Sequence, residues 1–170
     1  MSKAFTREEN DGPDIPDLPP LASTLPEGAR NYITAAGAER LREELGELVN
    51  DRRPPLVAAT NDPDAKRQIA ALDQRIFQLE QSLQTAEVVS PPEGELDTVR
   101  FGATVTVHEP SGEESTYRIV GVDETDFDRG WVSMQSPIAR ALLNARLGER
   151  VRFRSPAGET VLEIVAVEYR

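Results

Sequence analysis

The stretch 64–89, DAKRQIAALDQRIFQLEQSLQTAEVV, places Ile69, Leu72, Ile76, Leu79, Leu83 and Ala86 at steps of three, four, three, four and three, with Gln, Arg and Glu between them. Side chains three and four residues apart share one face of an α-helix, so this spacing predicts a long helix carrying one apolar seam of the coiled-coil kind. A single seam must be covered. The nearest apolar stripe lies just upstream in YITAAGAERLREELGELVNDRRPP (32–55), where Thr34 suits an N-cap and Leu41, Leu45, Leu48 and Val49 recur at helical spacing. The two stripes together predict an antiparallel helical hairpin over residues 31–90. Packing of the seam on the C-terminal part of the chain, or on a second copy, is the alternative.

Between the two helices, Pro54 and Pro55 stop or kink the first, and LVAAT (56–60) can resume it with Pro55 in a first-turn position. TNDPDAK (60–66) follows, with Asp62 and Asp64 flanking Pro63. Asp62 stands where the second helix needs an N-cap, Pro63 suits the first helical position, and Asp64 falls in the first turn beside the positive end of the helix dipole. The same two carboxylates at a hairpin tip could instead help to hold Mg²⁺, which commonly takes one or two carboxylates and keeps several waters, or could meet a basic surface without metal.

SPPEGE (90–95) ends the helical pattern, and the apolar period then switches to two. VRFGATVTVHE, ESTYRIVGV, GWVSMQ, RVRFRSP and TVLEIVAVEY are short, rich in Val, Ile, Thr and aromatic residues, and separated by the turn sequences PSGE, DETDFDRG and PAGE. Four or five antiparallel strands are expected. SPIARALLNARLGER (136–150), with its Ser-Pro start, apolar Ile138, Ala141 and Leu142, and a stop at Gly148, adds one short helix. The fold class is α+β: a helical hairpin, then a small β domain over 96–170.

Residues 1–30 hold Pro13, Pro16, Pro19, Pro20 and Pro26 and six acids against three bases, so they are expected to form a disordered, acidic, proline-rich tail. The N-terminus has no apolar core of a secretory signal, and no run of apolar residues is long enough to span a membrane. With no cysteine among 170 residues, neither disulfides nor thiolate metal sites can form, and a cytoplasmic location is expected. Thirty acidic against 19 basic residues, a net charge of -11, argue against stand-alone binding to nucleic acid and favour a partner with a basic surface. The nine arginines after residue 96 are matched by twelve acids, so no basic stripe emerges.

Several of these stretches resemble the GreA/GreB family of bacterial transcript cleavage and elongation factors. YITAAGAERLREELGEL is similar to the opening of that family's coiled-coil arm. RFGATVTV, YRIVGVDETD and VSMQSPIARALLNARLGERVRFRSPAGETVLEIVAVEY are similar to nearly the whole of its C-terminal domain, with IVGVDE (119–124), SPIARALL (136–143) and the closing PAGE the most specific parts. The resemblance covers about residues 31–170. It implies an FKBP-like C-terminal domain that docks at the rim of the RNA polymerase secondary channel while the helical hairpin reaches toward the polymerase active centre. It places Asp123, Glu124, Ser136, Pro137, Ile138 and Ala139 at the polymerase-binding surface. It also implies a protein without catalytic residues of its own, meeting nucleic acid only inside the polymerase complex, and closure of the hairpin within one chain predicts a monomer. In cleaving members two tip acids help to hold a catalytic metal ion, and Asp62 and Asp64 are the acids at that place here, with Mg²⁺ shared with the polymerase as the implied cofactor.

The tip departs from that pattern. The family's tip reads approximately Gly-Asp-x-Ser/Thr-Glu-Asn, and no such string lies between Arg53 and Ile69. The arm is about a dozen residues shorter than in cleaving members, which over two strands of helix at about 1.5 Å per residue removes on the order of 9 Å of reach. Stimulation of cleavage is therefore expected to be absent or feeble. His108, the only histidine, sits on a strand without a partner that would make a metal cluster or a triad, so a surface or cross-strand role is expected. DETDFD (123–128) lacks the spacing of a calcium loop and is expected to be solvated. Two other functions stay open: an FKBP-like peptidyl-prolyl isomerase, which would need an aromatic-lined pocket, and a coiled-coil adaptor that dimerises through residues 69–86.

Overall fold

The computed structural model describes residues 25–26, 28–59, 61–94, 96–155 and 158–169. The expected disordered tail falls mostly outside these residues. The helical part begins with a short strand, β1 (Asn31–Thr34), which runs into helix α1 (Ala35–Glu47). Thr34 caps α1 as its sequence position implied, its hydroxyl oxygen accepting the Gly37 N–H at 3.0 Å. At Leu48–Arg52 the helix widens to π geometry, and the Arg53 N–H reaches back five residues to the Leu48 carbonyl. The cause lies just ahead. Pro54 and Pro55 have no N–H to continue an α-helical ladder, and a one-turn π segment absorbs the interruption. The helix resumes as α2 (Arg53–Ala58) with the prolines in its first turn.

Helix α3 (Pro63–Thr85) follows and passes directly into strand β2 (Ala86–Val89), which pairs in parallel with β1 from Asn31↔Ala86 to Thr34↔Val89. This small sheet has no counterpart in the helical hairpin expected over 31–90. Contacts between the helices run in opposite chain order: Glu44 pairs with Arg75 at 2.7 Å and the later Arg53 pairs with the earlier Asp73 at 2.7 Å. The bond to Glu44 raises the Arg75 pKa above the usual guanidinium value against the lowering effect of partial burial.

The seam is not packed evenly. Ile33, Ala38, Leu41 and Leu79 are buried together, with Leu45, Leu48, Leu83 and Ala86 partly buried around them. Farther along α3, Ile69, Leu72 and Ile76 remain half-buried. An open groove of about 580 Å³, lined by Leu48, Pro55, Leu56, Ala71 and Leu72, lies where the π segment and α2 face α3. The dense packing is therefore at the end next to the small sheet, where both helices are tied to strands.

The C-terminal part is one sheet of order β5-β4-β3-β7-β6, made of β3 (Ala103–His108), β4 (Glu114–Val120), β5 (Trp131–Ser133), β6 (Arg150–Ser155) and β7 (Gly158–Tyr169). The expectation of purely antiparallel strands is corrected at one edge, where β5 pairs in parallel with β4. The chain leaves β4 through a 3-10 turn (Val122–Glu124) and a tight reversal closed by Asp126 and Trp131, so it re-enters the sheet in the direction it left. Gly130 has φ 69°, and a Cβ there would stand 2.5 Å from the Thr116 carbonyl oxygen, so that reversal requires glycine.

Alternation in β3 buries Ala103, Val105 and Val107 and leaves Thr104, Thr106 and His108 outward. His108 pairs with Glu114 across the strands at 2.5 Å, in the cross-strand role expected of it. Helix α4 (Pro137–Leu142), capped by Ser136, buries Ile138, Ala139 and Leu142 in the core with Val105, Ile119, Leu162 and Ile164. It ends well before Gly148: Asn144 takes φ 68°, and residues 144–147 turn away to bond residues 97–99. The hydroxyl of Tyr169 fastens the end of β7 by donating to the Thr98 carbonyl at 2.6 Å and accepting the Arg100 N–H at 2.9 Å. Burial pushes the Tyr169 pKa up, against the lowering effect of that N–H. Among the described residues no helix is long and apolar enough to cross a membrane.

The gradient along the helices predicts unequal costs of truncation. Leu79, 1% exposed, should lose about 2–5 kcal/mol on replacement by alanine, whereas Ile69→Ala at the half-buried end should lose less than about 1 kcal/mol. Urea unfolding followed by circular dichroism distinguishes the two, and equal losses would contradict the packing.

Candidate functional site

The tip of the helical part has simple local chemistry. Asp62 has extended backbone angles and accepts the Asp64 N–H at 2.9 Å, Pro63 opens α3, and Asp64 pairs with Arg67 at 3.6 Å. Both carboxylates are exposed and engaged within the first turn. Among the described residues no group of three or more His, Asp or Glu side chains is placed to hold a metal ion. Two exposed acids with internal partners fit the start of a helix.

The second candidate region joins the loop after β4 to the start of α4. Of its six residues, Asp123 and Pro137 are exposed, Ser136 is half-buried, and Glu124, Ile138 and Ala139 are buried. Ile138 and Ala139 belong to the core because α4 turns that face inward. They set the shape of the surface but offer it no side chain. Phe127 stands at the outer end of the same loop, 87% exposed among Asp123, Asp126 and Asp128. An aromatic ring in that position has no duty in the fold.

Glu124 is the larger surprise. Only 4% exposed, it is directed toward the helical part, not toward solvent. One carboxylate oxygen accepts the Thr34 N–H at 2.9 Å and the Gly121 N–H at 3.1 Å, and the other accepts the Thr34 hydroxyl. Arg40 approaches to 3.8 Å. A buried carboxylate is tolerated when its lone pairs are met in this way. Its neighbours complete a joint between the two parts of the chain. Asp123 accepts the Ser82 hydroxyl at 2.5 Å, Tyr32 and Phe101 rings lie 5.8 Å apart, and the Arg40 guanidinium stacks 4.8 Å from the Trp131 ring centre, with Arg118 and Arg129 at 5.0 and 5.4 Å.

With this geometry in place, comparison with known proteins decides the family. The family description "Transcription elongation factor, GreA/GreB, C-term" matches residues 92–169. Transcription elongation factor GreB of Neisseria meningitidis serogroup B is 41% identical over 154 residues, covering 82% of this chain and 94% of the relative. The chain belongs to the GreA/GreB family. Transcription elongation factor GreA of Alkalilimnicola ehrlichii is also 41% identical, over 152 residues, 81% of this chain and 96% of that protein. A solved structure of the prokaryotic transcription elongation factor GreA/GreB from Nitrosomonas europaea is 27% identical, covers 82% of this chain and all of that chain, and superposes with a TM-score of 0.42.

For a GreA/GreB protein, the joint is what sequence reading missed, and one signal pointed to it. A helix opening Thr-x-x-Glu can form a capping box, in which the glutamate three residues on accepts the N–H of the cap. Here the third residue after Thr34 is Gly37, so that place in the sequence is empty. Nothing local showed that Glu124, ninety residues away, would fill it.

The tip geometry predicts that Asp62→Asn leaves stability within about 0.5 kcal/mol, since Asn caps as well as Asp, whereas Asp62→Ala costs about 1 kcal/mol. Thermal unfolding of the two variants provides the measurement, and a matching loss in both would remove the capping role.

Proposed function

We propose that this chain is a transcription elongation factor of the Gre type that acts by binding RNA polymerase and has no active site of its own. The observation that carries the reading is 41% identity to transcription elongation factors over more than four-fifths of the chain, which takes in both the helical part and the sheet. The C-terminal part, a five-stranded sheet with one short helix packed into its core, is the domain we read as FKBP-like. It docks at the rim of the secondary channel through Asp123, Ser136 and Pro137, with Glu124, Ile138 and Ala139 supporting that surface from beneath. The antiparallel hairpin of α1, α2 and α3 then enters the channel as a monomeric arm, in the cytoplasm.

Occupancy of the channel without stimulated cleavage fits the tip. Asp62 and Asp64 serve the start of α3, and any Mg²⁺ they touched would have to be held chiefly by the polymerase. The match to the Neisseria GreB runs over 154 residues yet takes up only 82% of this 170-residue chain, so the relative carries residues with no counterpart here, in line with a shortened arm. The isomerase alternative gains no support, because Phe101 lies in the core and Tyr117, Phe153 and Tyr169 pack against it instead of lining an open pocket.

Two outcomes are expected. Stalled, purified polymerase should show no added transcript cleavage with this protein, while its elongation or initiation changes; strong cleavage lost in Asp64→Asn would reverse the assignment of the tip. Asp123→Lys should weaken polymerase binding on the order of tenfold at low salt and less at high salt, because exposed acids steer association with a basic rim. Ser82→Ala, which removes the bond to Asp123 but keeps the acid, should leave affinity unchanged, and equal weakening by both variants would show that only the joint was disturbed.

A further inference from the structure

We infer that Glu124 is a positioning residue, a cap supplied from the C-terminal domain that fixes the direction in which the helical arm leaves it; this rests on the channel-binding function proposed above. The N-cap of α1 is Thr34 and its third residue is Gly37, so the helix lacks the glutamate that would close a capping box. The Glu124 carboxylate occupies the space where such a side chain would begin: a Cβ on Gly37 would lie 2.0 Å from a Glu124 oxygen. The carboxylate also makes the bond that a local glutamate would make, accepting the Thr34 N–H at 2.9 Å.

The same oxygen accepts the Gly121 N–H at the start of the 3-10 turn. One buried carboxylate therefore caps two helical starts, one in the arm and one in the C-terminal domain. A single group shared between two starts couples their orientations, since neither can rotate without leaving one N–H unpaired. Gly121 tightens the coupling, because a Cβ there would come within 2.2 Å of the Tyr32 carbonyl oxygen, so the two backbones meet without an intervening side chain. The Ser82–Asp123 bond and the Arg40–Trp131 stacking lie beside the same joint.

Docking of the C-terminal domain then aims the arm. The loop that carries Asp123 toward a partner also carries Glu124 toward α1, so contact outside and orientation inside belong to one short segment.

Gly37→Glu separates this role from simple stability. The new side chain provides α1 with a capping glutamate of its own and displaces Glu124, so the helix keeps its cap while the link to the C-terminal domain is lost. Glu124→Gln is the second variant, close in shape but without the charge that draws the N–H donors. The native chain has no cysteine, so spin labels can be attached to cysteines introduced at the exposed Arg67 and Arg152 in the full-length protein. The native chain should give one narrow distance distribution and both variants a broad one, with native helix content. Both should lose the effect on elongation, and Gly37→Glu, whose site lies at the start of α1 away from the docking surface, should bind polymerase with native affinity.

A distribution that stays narrow in both variants overturns the inference, as does a full effect on elongation from an arm shown to be loose. If Gly37→Glu does not fold, Glu124→Gln decides alone. If the native chain itself neither binds polymerase nor alters elongation, the proposed function fails, while the distance distributions still decide whether Glu124 holds the arm.

Discussion

A buried carboxylate shared between two N–H groups from distant parts of the chain sets the geometry of this protein. Glu124 lies where α1 begins and where the 3-10 turn begins, and it satisfies donors at both. Each helical start would otherwise leave its first N–H groups to water, and water is excluded at this place. The requirement that both be met fixes Thr34, Gly37 and Gly121 as a set. Two of them are glycines for the same reason: a Cβ at either position would collide with the atoms that form the joint.

From that joint outward the packing loosens. Ile33, Leu41 and Leu79 are tightly buried near the β1–β2 pair, and the pair itself holds the two helices together at one end. Toward the tip the prolines interrupt the helix, the π segment shifts its face, and Ile69, Leu72 and Ile76 keep partial exposure. Bidentate pairs carry part of the contact there, Arg75 with Glu44 and Arg53 with Asp73, both at the surface where such pairs add little to stability but do fix relative position. An arm firm at its root and looser at its end suits a proposed role inside a channel formed by another protein.

Charge is distributed to match. The net charge of -11 disfavours free nucleic acid, and the exposed Asp123 and Asp128, with the half-buried Asp126, flank an exposed Phe127 on the loop that closes the reversal before β5. The three arginines close to Trp131 lie next to that loop, one of them from the arm. The proposed docking surface thus faces a partner with acids while its reverse side holds the arm with Glu124 and the Trp131 ring.

The sequence by itself determined the elements whose cause is local. A three-four spacing could only bury itself as a helix, Thr34, Asp62 and Ser136 cap because a short side-chain oxygen at that position meets a free N–H, and Pro54 and Pro55 had to disturb the first helix because they lack the donor. The family and the capping role of Asp62 were legible too, because both are carried by short stretches of sequence. Tertiary structure alone decided what depends on atoms distant in the chain. The β1–β2 pair needed both ends of the helical part side by side, the parallel β5 needed the reversal at Gly130, and Ile138 and Ala139 became core only because α4 turned that face inward. Glu124 looked like a surface acid in an acidic loop. It became a buried cap because folding brought it to the one helix start whose own sequence had left that position empty, and no local pattern encodes a hydrogen bond that spans ninety residues.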